Sequence, residues 1–174
     1  MYFDFISPYS FLAHKEINKI EKKNSIKIRY KPILLGGLHN LHGIKAPAFI
    51  PAKAKHMVRD CKLIAEKNNV KFKFNSYFPI RSLNLMRGVL VAEEDDFKSY
   101  YIDNIFDAIW QDGLNMNDEN IFQRILKNLN VNPKTFLLRI GSSSIKDSLR
   151  KKTSEAYDKG IFGAPTFVSN NKIF

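Results

Sequence analysis

The change from strand to helix near the N-terminus is the feature that most constrains the fold. Residues 2–5 are mostly apolar and predict a short strand, whereas residues 9–22 carry apolar side chains at helical spacing. Ser7 and Pro8 lie between these segments. Serine is a favoured N-cap, and proline suits the first helical position because its missing N–H would have no partner there. We therefore predict that Ser7 caps a helix directly after the first strand.

The following segments complete a β-α-β unit and then become helical. Residues 26–31 alternate apolar and polar side chains and are followed by Pro32, which predicts a second strand that ends at the proline. Residues 36–51 contain the glycines and prolines of a loop or a broken helix. Helical spacing resumes at Pro51, and Cys61 falls on the apolar face of the helix that begins there. Further helices are predicted at residues 82–92, 97–111, 118–129 and 133–140, the last capped by Asn132 before Pro133.

The C-terminal part returns to strands after one more helix. That helix is expected at residues 144–159, with Gly160 at its C-terminal exit. Residues 166–168 and 172–174 then predict a β-hairpin. Because the second strand of this hairpin ends with the sequence, we expect the sequence to be a piece of a longer chain.

Composition limits the classes of partner. The 174 residues carry a formal net charge of +11, but the lysines are spread along the chain and an acidic block at residues 93–96 interrupts them. This pattern favours small anionic ligands over nucleic acid. No apolar run approaches the roughly 20 residues that cross a bilayer, so we expect no membrane span. The single cysteine, Cys61, excludes a disulfide within the chain and predicts a cytoplasmic location.

Common catalytic and metal-binding motifs are weak or missing. His39 and His42 could be metal ligands, but no cysteine or carboxylate nearby completes a set, and we predict no metal. Residues 112–117 alternate like a calcium loop, yet their glycine is second where an EF-hand needs it sixth, so a turn between helices is predicted. Ser7 is the stronger candidate, because a helix N-terminus stabilises an anion such as a thiolate.

Two distant segments carry a family resemblance: Ser7-Pro8-Tyr9-Ser10 and Gly163-Ala164-Pro165-Thr166. In this order, and with residues 30–37, 50–53, 59–60, 78–79 and 160–167 between and around them, they resemble the 2-hydroxychromene-2-carboxylate isomerases and the related kappa-class glutathione transferases. Both have a DsbA-like thioredoxin fold. The resemblance implies an α/β, thioredoxin-like domain of the DsbA/kappa type, formed by residues 1–35 and 144–174. Residues 36–143 would form a large all-helical insertion between the β-α-β unit and the C-terminal helix and hairpin.

The resemblance also implies a cofactor and a site. Glutathione would supply a thiolate, and Ser7, at the position of the redox cysteine in related folds, would donate its hydroxyl to it. Pro165 would be a cis-proline, Ala164 would hydrogen-bond the glutathione backbone, and Lys53 would contact glutathione. Ser10 is expected to satisfy the first turn of the helix rather than to take part in chemistry.

The implied reaction is the glutathione-dependent isomerisation of 2-hydroxychromene-2-carboxylate to trans-o-hydroxybenzylidenepyruvate, a step of aromatic catabolism. It proceeds by reversible thiolate addition to a small aromatic carboxylate. The alternatives are a kappa-like glutathione transferase and a non-catalytic binding protein on the same scaffold. The related families also imply a homodimer.

Two departures from the family pattern bear on glutathione binding. Ile44 stands in the loop where kappa-class proteins carry an asparagine, and it cannot make the hydrogen bond of that asparagine. The sequence ends at Phe174, before the segment whose acidic residue meets the γ-glutamyl amine in family members. If the chain ended there, the resemblance would imply weaker glutathione binding, because the charged amine would be left without its partner.

Overall fold

A computed structural model of the chain describes residues 1–24 and 26–174. Strand β1 (Tyr2–Phe3) lies at its centre, paired in parallel with β2 (Lys31–Pro32) and bridged on its other side by Thr166 in antiparallel orientation. Helix α1 (Pro8–Asn24) connects the two strands. The predicted β-α-β unit is therefore confirmed, and the segment before the C-terminal hairpin joins β1 as a third neighbour.

The helical block follows β2. Its members are α2 (Leu35–Leu41), a 3₁₀ turn (Pro47–Phe49), α3 (Pro51–Lys67), α4 (Leu83–Glu94), α5 (Lys98–Trp110), α6 (Glu119–Asn128), α7 (Pro133–Ile140) and α8 (Ser143–Asp158). The predicted helices agree with these bounds to within about two residues, the usual uncertainty of a helix end. The broken helix expected at residues 36–51 is α2 followed by the 3₁₀ turn.

Local capping explains why several of these helices begin where they do. The Asp118 side chain accepts the Asn120 N–H at the start of α6, and the Asn132 side chain accepts the Thr135 N–H before Pro133, as predicted. After α8, Gly160 adopts a φ of 75°, a left-handed conformation that only glycine adopts at no steric cost. These signals are local, which is why the sequence alone reveals them.

The C-terminal hairpin is also confirmed. Strand β3 (Val168–Ser169) pairs antiparallel with β4 (Lys172–Ile173). Asn170 and Asn171, which connect the strands, both have positive φ angles, of 48° and 60°. Two central residues with positive φ match the twist of the flanking strands, and asparagine tolerates this conformation.

The second strand is shifted from its predicted position. Residues 26–30 are not in a strand, because β1 begins only at Tyr2 and gives them no neighbour to pair with. Instead, the N–H groups of Lys31 and Ile33 donate to Met1 and Phe3 at 2.8 and 3.1 Å. Pro32 fits between them because alternate backbone nitrogens along a strand point to opposite sides, so its missing N–H costs no hydrogen bond to β1.

The first strand is shorter than the predicted residues 2–5. The Asp4 carboxylate accepts the N–H of Ile6 at 3.0 Å, and the Asp4 carbonyl accepts that of Ser7 at 3.1 Å. These bonds turn the chain immediately after Phe3 and bring Ser7 to the start of α1.

A cluster of aromatic side chains forms the core between the strands and the helices. Phe5 packs edge-to-face on Phe106, with ring centroids 4.8 Å apart, and the buried Trp110 donates its indole N–H to the Phe5 carbonyl at 2.8 Å. Phe11, from α1, also packs against Phe106. The residues around the end of β1 are thus held against α5. The division into one domain of residues 1–35 and 144–174 and an inserted domain of residues 36–143 stays a prediction.

Candidate active site

Ser7 is the N-terminal residue of the candidate site. It precedes the first helical residue, Pro8, and its Oγ accepts the N–H of Ser10 at 3.2 Å, which confirms that it caps α1. Its hydroxyl donates to the carbonyl oxygen of Ala164 at 2.8 Å. Both bonds hold a nearly buried side chain, 4% exposed, in one orientation. Ser7 therefore links the start of α1 to a segment 157 residues further along the chain.

Ala164 and Pro165 lie opposite the start of α1. Their peptide bond is cis, as the resemblance implies. The bond between Thr166 and Tyr2, 2.8 Å from the Tyr2 nitrogen to the Thr166 carbonyl, fixes this segment against β1. Among the described residues, no acceptor takes the Ala164 N–H, so it is available to a peptide-like ligand.

Asp4 stabilises the backbone next to Ser7. The sequence analysis did not predict this role. Its side chain is fully buried, and its Oδ2 accepts the Leu35 N–H at 2.8 Å, at the start of α2. Burial raises the pKa of this carboxyl, although hydrogen bonds from the backbone of Leu35 and Ile6 and from Ser82 oppose the shift. Asp4 thereby joins the turn before Ser7 to α2. The available signal was one acidic residue among apolar neighbours in the first strand.

A cleft of about 670 Å³ opens beside Ser7 and Ala164. Its wall is mainly apolar and comes from several parts of the chain: the start of α1, α2, the 3₁₀ turn and the loop before it, α3, Phe78 with Pro79, and the segment before Pro165. Phe49 and Phe162 lie at the cleft with 58% and 64% of their surfaces exposed. A cavity of this size with an apolar wall and few polar groups is typical of a small-molecule site.

Three side chains that can carry positive charge also line the cleft: Lys53 and His56 on α3, and His39 on α2. The predicted Lys53 is exposed, so its ammonium group is free to meet a ligand. Burial lowers the pKa of His39, and the neighbouring His42 adds to this shift. His39 and His56 were not predicted as cleft residues, because nothing in the local sequence shows which helix faces lie across from Ser7.

The side chains of His39 and His42 have different surroundings. His39 lines the cleft, whereas the His42 Nε2 pairs with the Ile161 carbonyl at 2.8 Å and its ring lies against Tyr157. Within residues 1–24 and 26–174, no group of three or more histidine, cysteine or acidic side chains could hold a metal ion.

Ser10 and Cys61 lie close to the cleft but inside the protein. The Ser10 hydroxyl is fully buried and has no hydrogen-bond partner among the described residues, so the prediction that its side chain satisfies the first turn is wrong; its backbone N–H does so. Cys61 is buried, as predicted, and burial with the charge of Asp60 raises the pKa of its thiol to about 12. Its thiolate is therefore not populated near neutral pH.

A second cis peptide bond, between Phe78 and Pro79, lies at the cleft. Asn75 holds the approach to it: its side chain accepts the Tyr77 N–H and donates to the carbonyls of Ile109 and Leu114, each at 2.8–2.9 Å. The sequence marks Phe78-Pro79 only as part of the resemblance.

Comparison with known proteins places the chain in a family. The profile of the DSBA-like thioredoxin domain matches residues 1–174, the full length of the sequence. This protein is a DsbA-like thioredoxin-domain protein. The family resemblance seen in the two motifs and the predicted fold class are therefore confirmed.

The most similar proteins fall into two groups by name. A 2-hydroxychromene-2-carboxylate isomerase of Sphingobium xenophagum is 26% identical over 175 residues, covering 99% of this chain and 89% of the relative. A second isomerase of that name, from Pseudomonas putida, is 23% identical and covers 99% and 85%. Glutathione S-transferase kappa 1 of Caenorhabditis elegans is 27% identical and covers 94% and 76%.

Solved structures show the same fold at lower sequence identity. A 2-hydroxychromene-2-carboxylate isomerase superposes with a TM-score of 0.89 at 21% identity, covering 99% of this chain and 85% of the other. The cytosolic disulfide reductase DsbM of Pseudomonas aeruginosa superposes less closely, with a TM-score of 0.64 at 14% identity and the same coverage. In this DsbA-like protein, Ser7 and Ser10 leave no dithiol at the start of α1.

No described helix is both long enough and apolar enough to cross a lipid bilayer.

Proposed function

We propose that this DsbA-like protein is a glutathione-dependent isomerase that converts 2-hydroxychromene-2-carboxylate to trans-o-hydroxybenzylidenepyruvate. The observation that carries the proposal is the contact between the Ser7 hydroxyl and the Ala164 carbonyl, 2.8 Å apart at one end of an apolar cleft. It joins a capped helix N-terminus to a backbone segment beside a cis-proline. The similarity to relatives named 2-hydroxychromene-2-carboxylate isomerase supports the assignment.

Glutathione, when bound, would supply a thiolate that adds to the conjugated double bond of the substrate and is eliminated after rotation about the resulting single bond. The residues of this chain have to stabilise negative charge on sulfur. Ser7 can do so in two ways, because its hydroxyl is a donor and it lies at the positive end of the α1 dipole.

The Ser7 hydroxyl has a single proton, which in this structure is donated to Ala164. A bond to a thiolate therefore requires the hydroxyl to turn about its Cβ–Oγ bond and release the Ala164 carbonyl. The bond that Ser7 accepts from the Ser10 N–H can remain during this change, since it uses a lone pair of the oxygen. The cap of α1 and the activation of sulfur are thus compatible.

The other predicted contacts belong to binding rather than to chemistry. The backbone of Ala164 offers an N–H and a carbonyl, which match the backbone of a cysteinyl residue. The Lys53 ammonium would pair with a carboxylate. The aromatic side chains Phe49, Phe78 and Phe162 would cover an aromatic ring and keep water from the reacting atoms.

The cleft fits the thiol and one carboxylate of glutathione better than its amine. No aspartate or glutamate is among the described residues that line it, and Ile44 adds an apolar side chain where an amide would be needed. An acidic partner for the γ-glutamyl ammonium group is therefore not among the described residues that line the cleft, whereas Lys53 offers a partner to a carboxylate. A glutathione analogue without the thiol should show no ultraviolet thiolate band.

The assay that tests the function measures three outcomes with one protein preparation. Conversion of 2-hydroxychromene-2-carboxylate that requires glutathione but does not consume it supports the isomerase. Consumption of glutathione on an aromatic halide, with no isomerisation, supports the kappa-like transferase, which the kappa-named relatives make the second candidate. Glutathione binding without either turnover supports a non-catalytic binding protein.

Lys53→Met is the matched variant for this assay, with Lys55→Met as its control. Both lysines are exposed and lie on the first turns of α3, but only Lys53 lines the cleft.

A cytoplasmic location and a homodimer are also proposed here. The single buried cysteine supports the first, because a reducing compartment is where unpaired thiols persist.

A further inference from the structure

A second concave surface lies on the other side of α2 from the cleft. It is a groove of about 420 Å³ between α2, α4 and α8, which we call the α2–α8 groove. Gly37 and Leu41 of α2 face it, whereas Leu35, Gly36 and His39 of the same helix face the cleft. The groove and the cleft are therefore separate spaces that share one helix as a wall.

The body of the α2–α8 groove is apolar. Leu34, Leu41, Leu83 and Leu149 line it. The nearby Thr153 is already satisfied, because its hydroxyl donates to the Leu149 carbonyl at 2.9 Å and accepts the Leu34 N–H at 3.0 Å. This surface can therefore bury an apolar ligand without stranding that hydroxyl.

Three cationic side chains lie at the same groove: Arg87 from α4, and Lys146 and Arg150 from α8. Lys146 and Arg150 are four residues apart and so project from one face of their helix. No aspartate or glutamate is among the described residues that line the groove. Asp147 does pair with Arg150 at 3.0 Å, but both side chains are more than 60% exposed, and such pairs contribute little.

Arg87 differs from the other two cations because one of its donors is buried. Its Nε is buried and has no hydrogen-bond partner among the described residues, and its Nη1 makes one long bond, 3.4 Å, to Asn84 Oδ1. Burial lowers the pKa of its guanidinium, and the positive charge of Arg150 adds to the shift. Arginine nevertheless keeps its proton near neutral pH.

We propose that the α2–α8 groove binds a small amphipathic organic anion, with its carboxylate, sulfonate or phosphate between Arg87, Lys146 and Arg150 and its apolar body on the leucines. Such an anion offers an acceptor to the buried Nε–H of Arg87 and brings negative charge to a groove lined by three cationic side chains. The site is independent of the proposed isomerase activity, since none of these residues lines the cleft.

The test uses 1-anilinonaphthalene-8-sulfonate, whose fluorescence rises in an apolar site, titrated against the intact chain at low salt. Arg87→Met should weaken binding about ten-fold, because it removes a charge-assisted contact with a buried donor. Arg150→Met should weaken binding about two- to five-fold, because its side chain is exposed. Lys151→Met is the control: it removes the same charge from the residue next to Arg150, which is exposed and does not line the groove. Binding should also weaken as salt is added.

Methyl-group NMR shows where the probe binds. Shifts at Leu83 and Leu149 are expected on titration, whereas shifts confined to Ile44 and Met57 would place the probe in the cleft and overturn the proposal. Equal affinities of the Arg150→Met and Lys151→Met variants would overturn it as well. Arg150→Met keeps the test valid if Arg87→Met folds poorly, because Arg150 is exposed. Concentration-dependent dimerisation that blocks the probe would assign the groove to a second copy instead and also overturn it.

Discussion

Replacing Ser7 by alanine removes the hydroxyl that we propose donates to a glutathione thiolate at the start of α1. A hydrogen bond to a charged group contributes about 1.5–3 kcal/mol. Since one pKa unit corresponds to about 1.4 kcal/mol, the thiol pKa of bound glutathione should rise by about one to two units in the variant. At a pH below the thiol pKa of the wild-type complex, turnover should then fall about 10- to 100-fold, because the thiolate fraction falls about ten-fold for each pKa unit there.

Ser7→Ala should also lower the free energy of unfolding, and the hydrogen bonds in the structure indicate by how much. Ser7 caps α1 through the Ser10 N–H and holds the Ala164 carbonyl. Losing an N-cap costs about 1 kcal/mol and losing a hydrogen bond about another 1 kcal/mol. The free energy of unfolding should therefore fall by about 2 kcal/mol, a loss that urea denaturation can measure.

The measurement is the ultraviolet absorbance of the thiolate in bound glutathione, titrated against pH. Ser10→Ala is the control, because it removes a buried hydroxyl of the same kind that has no hydrogen-bond partner among the described residues. It should leave the thiol pKa unchanged and affect stability little. If Ser7→Ala shows the thiol pKa and turnover of the wild type, the role assigned to Ser7 is refuted.

Three further predictions concern binding, packing and pH. Lys53→Met should weaken glutathione binding only about two- to five-fold in calorimetry, because its ammonium is exposed and exposed ion pairs contribute at most about 1 kcal/mol. Gly88→Ala should lower the free energy of unfolding by about 1–3 kcal/mol, because its Cβ would overlap the buried Tyr101 hydroxyl. Gly36→Ala, in α2 with open space around the added carbon, should instead raise it by up to about 1 kcal/mol. Burial raises the pKa of Asp4 in the folded state, so this residue's contribution to stability is full below its unfolded pKa and is lost as pH rises through the folded pKa. Asp4→Asn should remove that decline from the pH dependence of unfolding.

Each of these predictions has a result that contradicts it. A large loss of glutathione affinity in the Lys55→Met variant would show that binding responds to surface charge in general. Equal stability changes at Gly88 and Gly36 would mean that the packing of Tyr101 adapts freely. A difference between wild type and Asp4→Asn that does not vary with pH would show that Asp4 does not titrate between the two states.

The sequence predicted those features that depend on neighbouring residues. The cap of α1 by Ser7, the cap of α7 by Asn132 and the glycine after α8 are contacts within a few residues, so the local pattern contains their cause. The apolar face of α3 is equally local, and it placed Cys61 correctly in the interior. The resemblance, which rests on two short motifs and their order, predicted the family and the fold class.

The errors share a different origin. The alternation in residues 26–30 is typical of a strand, yet a strand forms only where a partner lies alongside, and β1 begins too late to provide one. Asp4 looked like an interruption of a strand, but its carboxylate reaches Leu35, a contact that no local pattern contains. The local sequence likewise does not reveal that the buried Ser10 hydroxyl has no hydrogen-bond partner among residues 1–24 and 26–174.

By itself the sequence determined the order of helices and strands, their caps and the chemical character of the start of α1. Only the tertiary structure decided that Ser7 meets Ala164, that Lys53, His39 and His56 line one cleft, and that Arg87 and Arg150 share a groove. The physical reason is range: periodicity and capping depend on residues within one or two turns, whereas a site depends on packing between segments that are far apart in the chain.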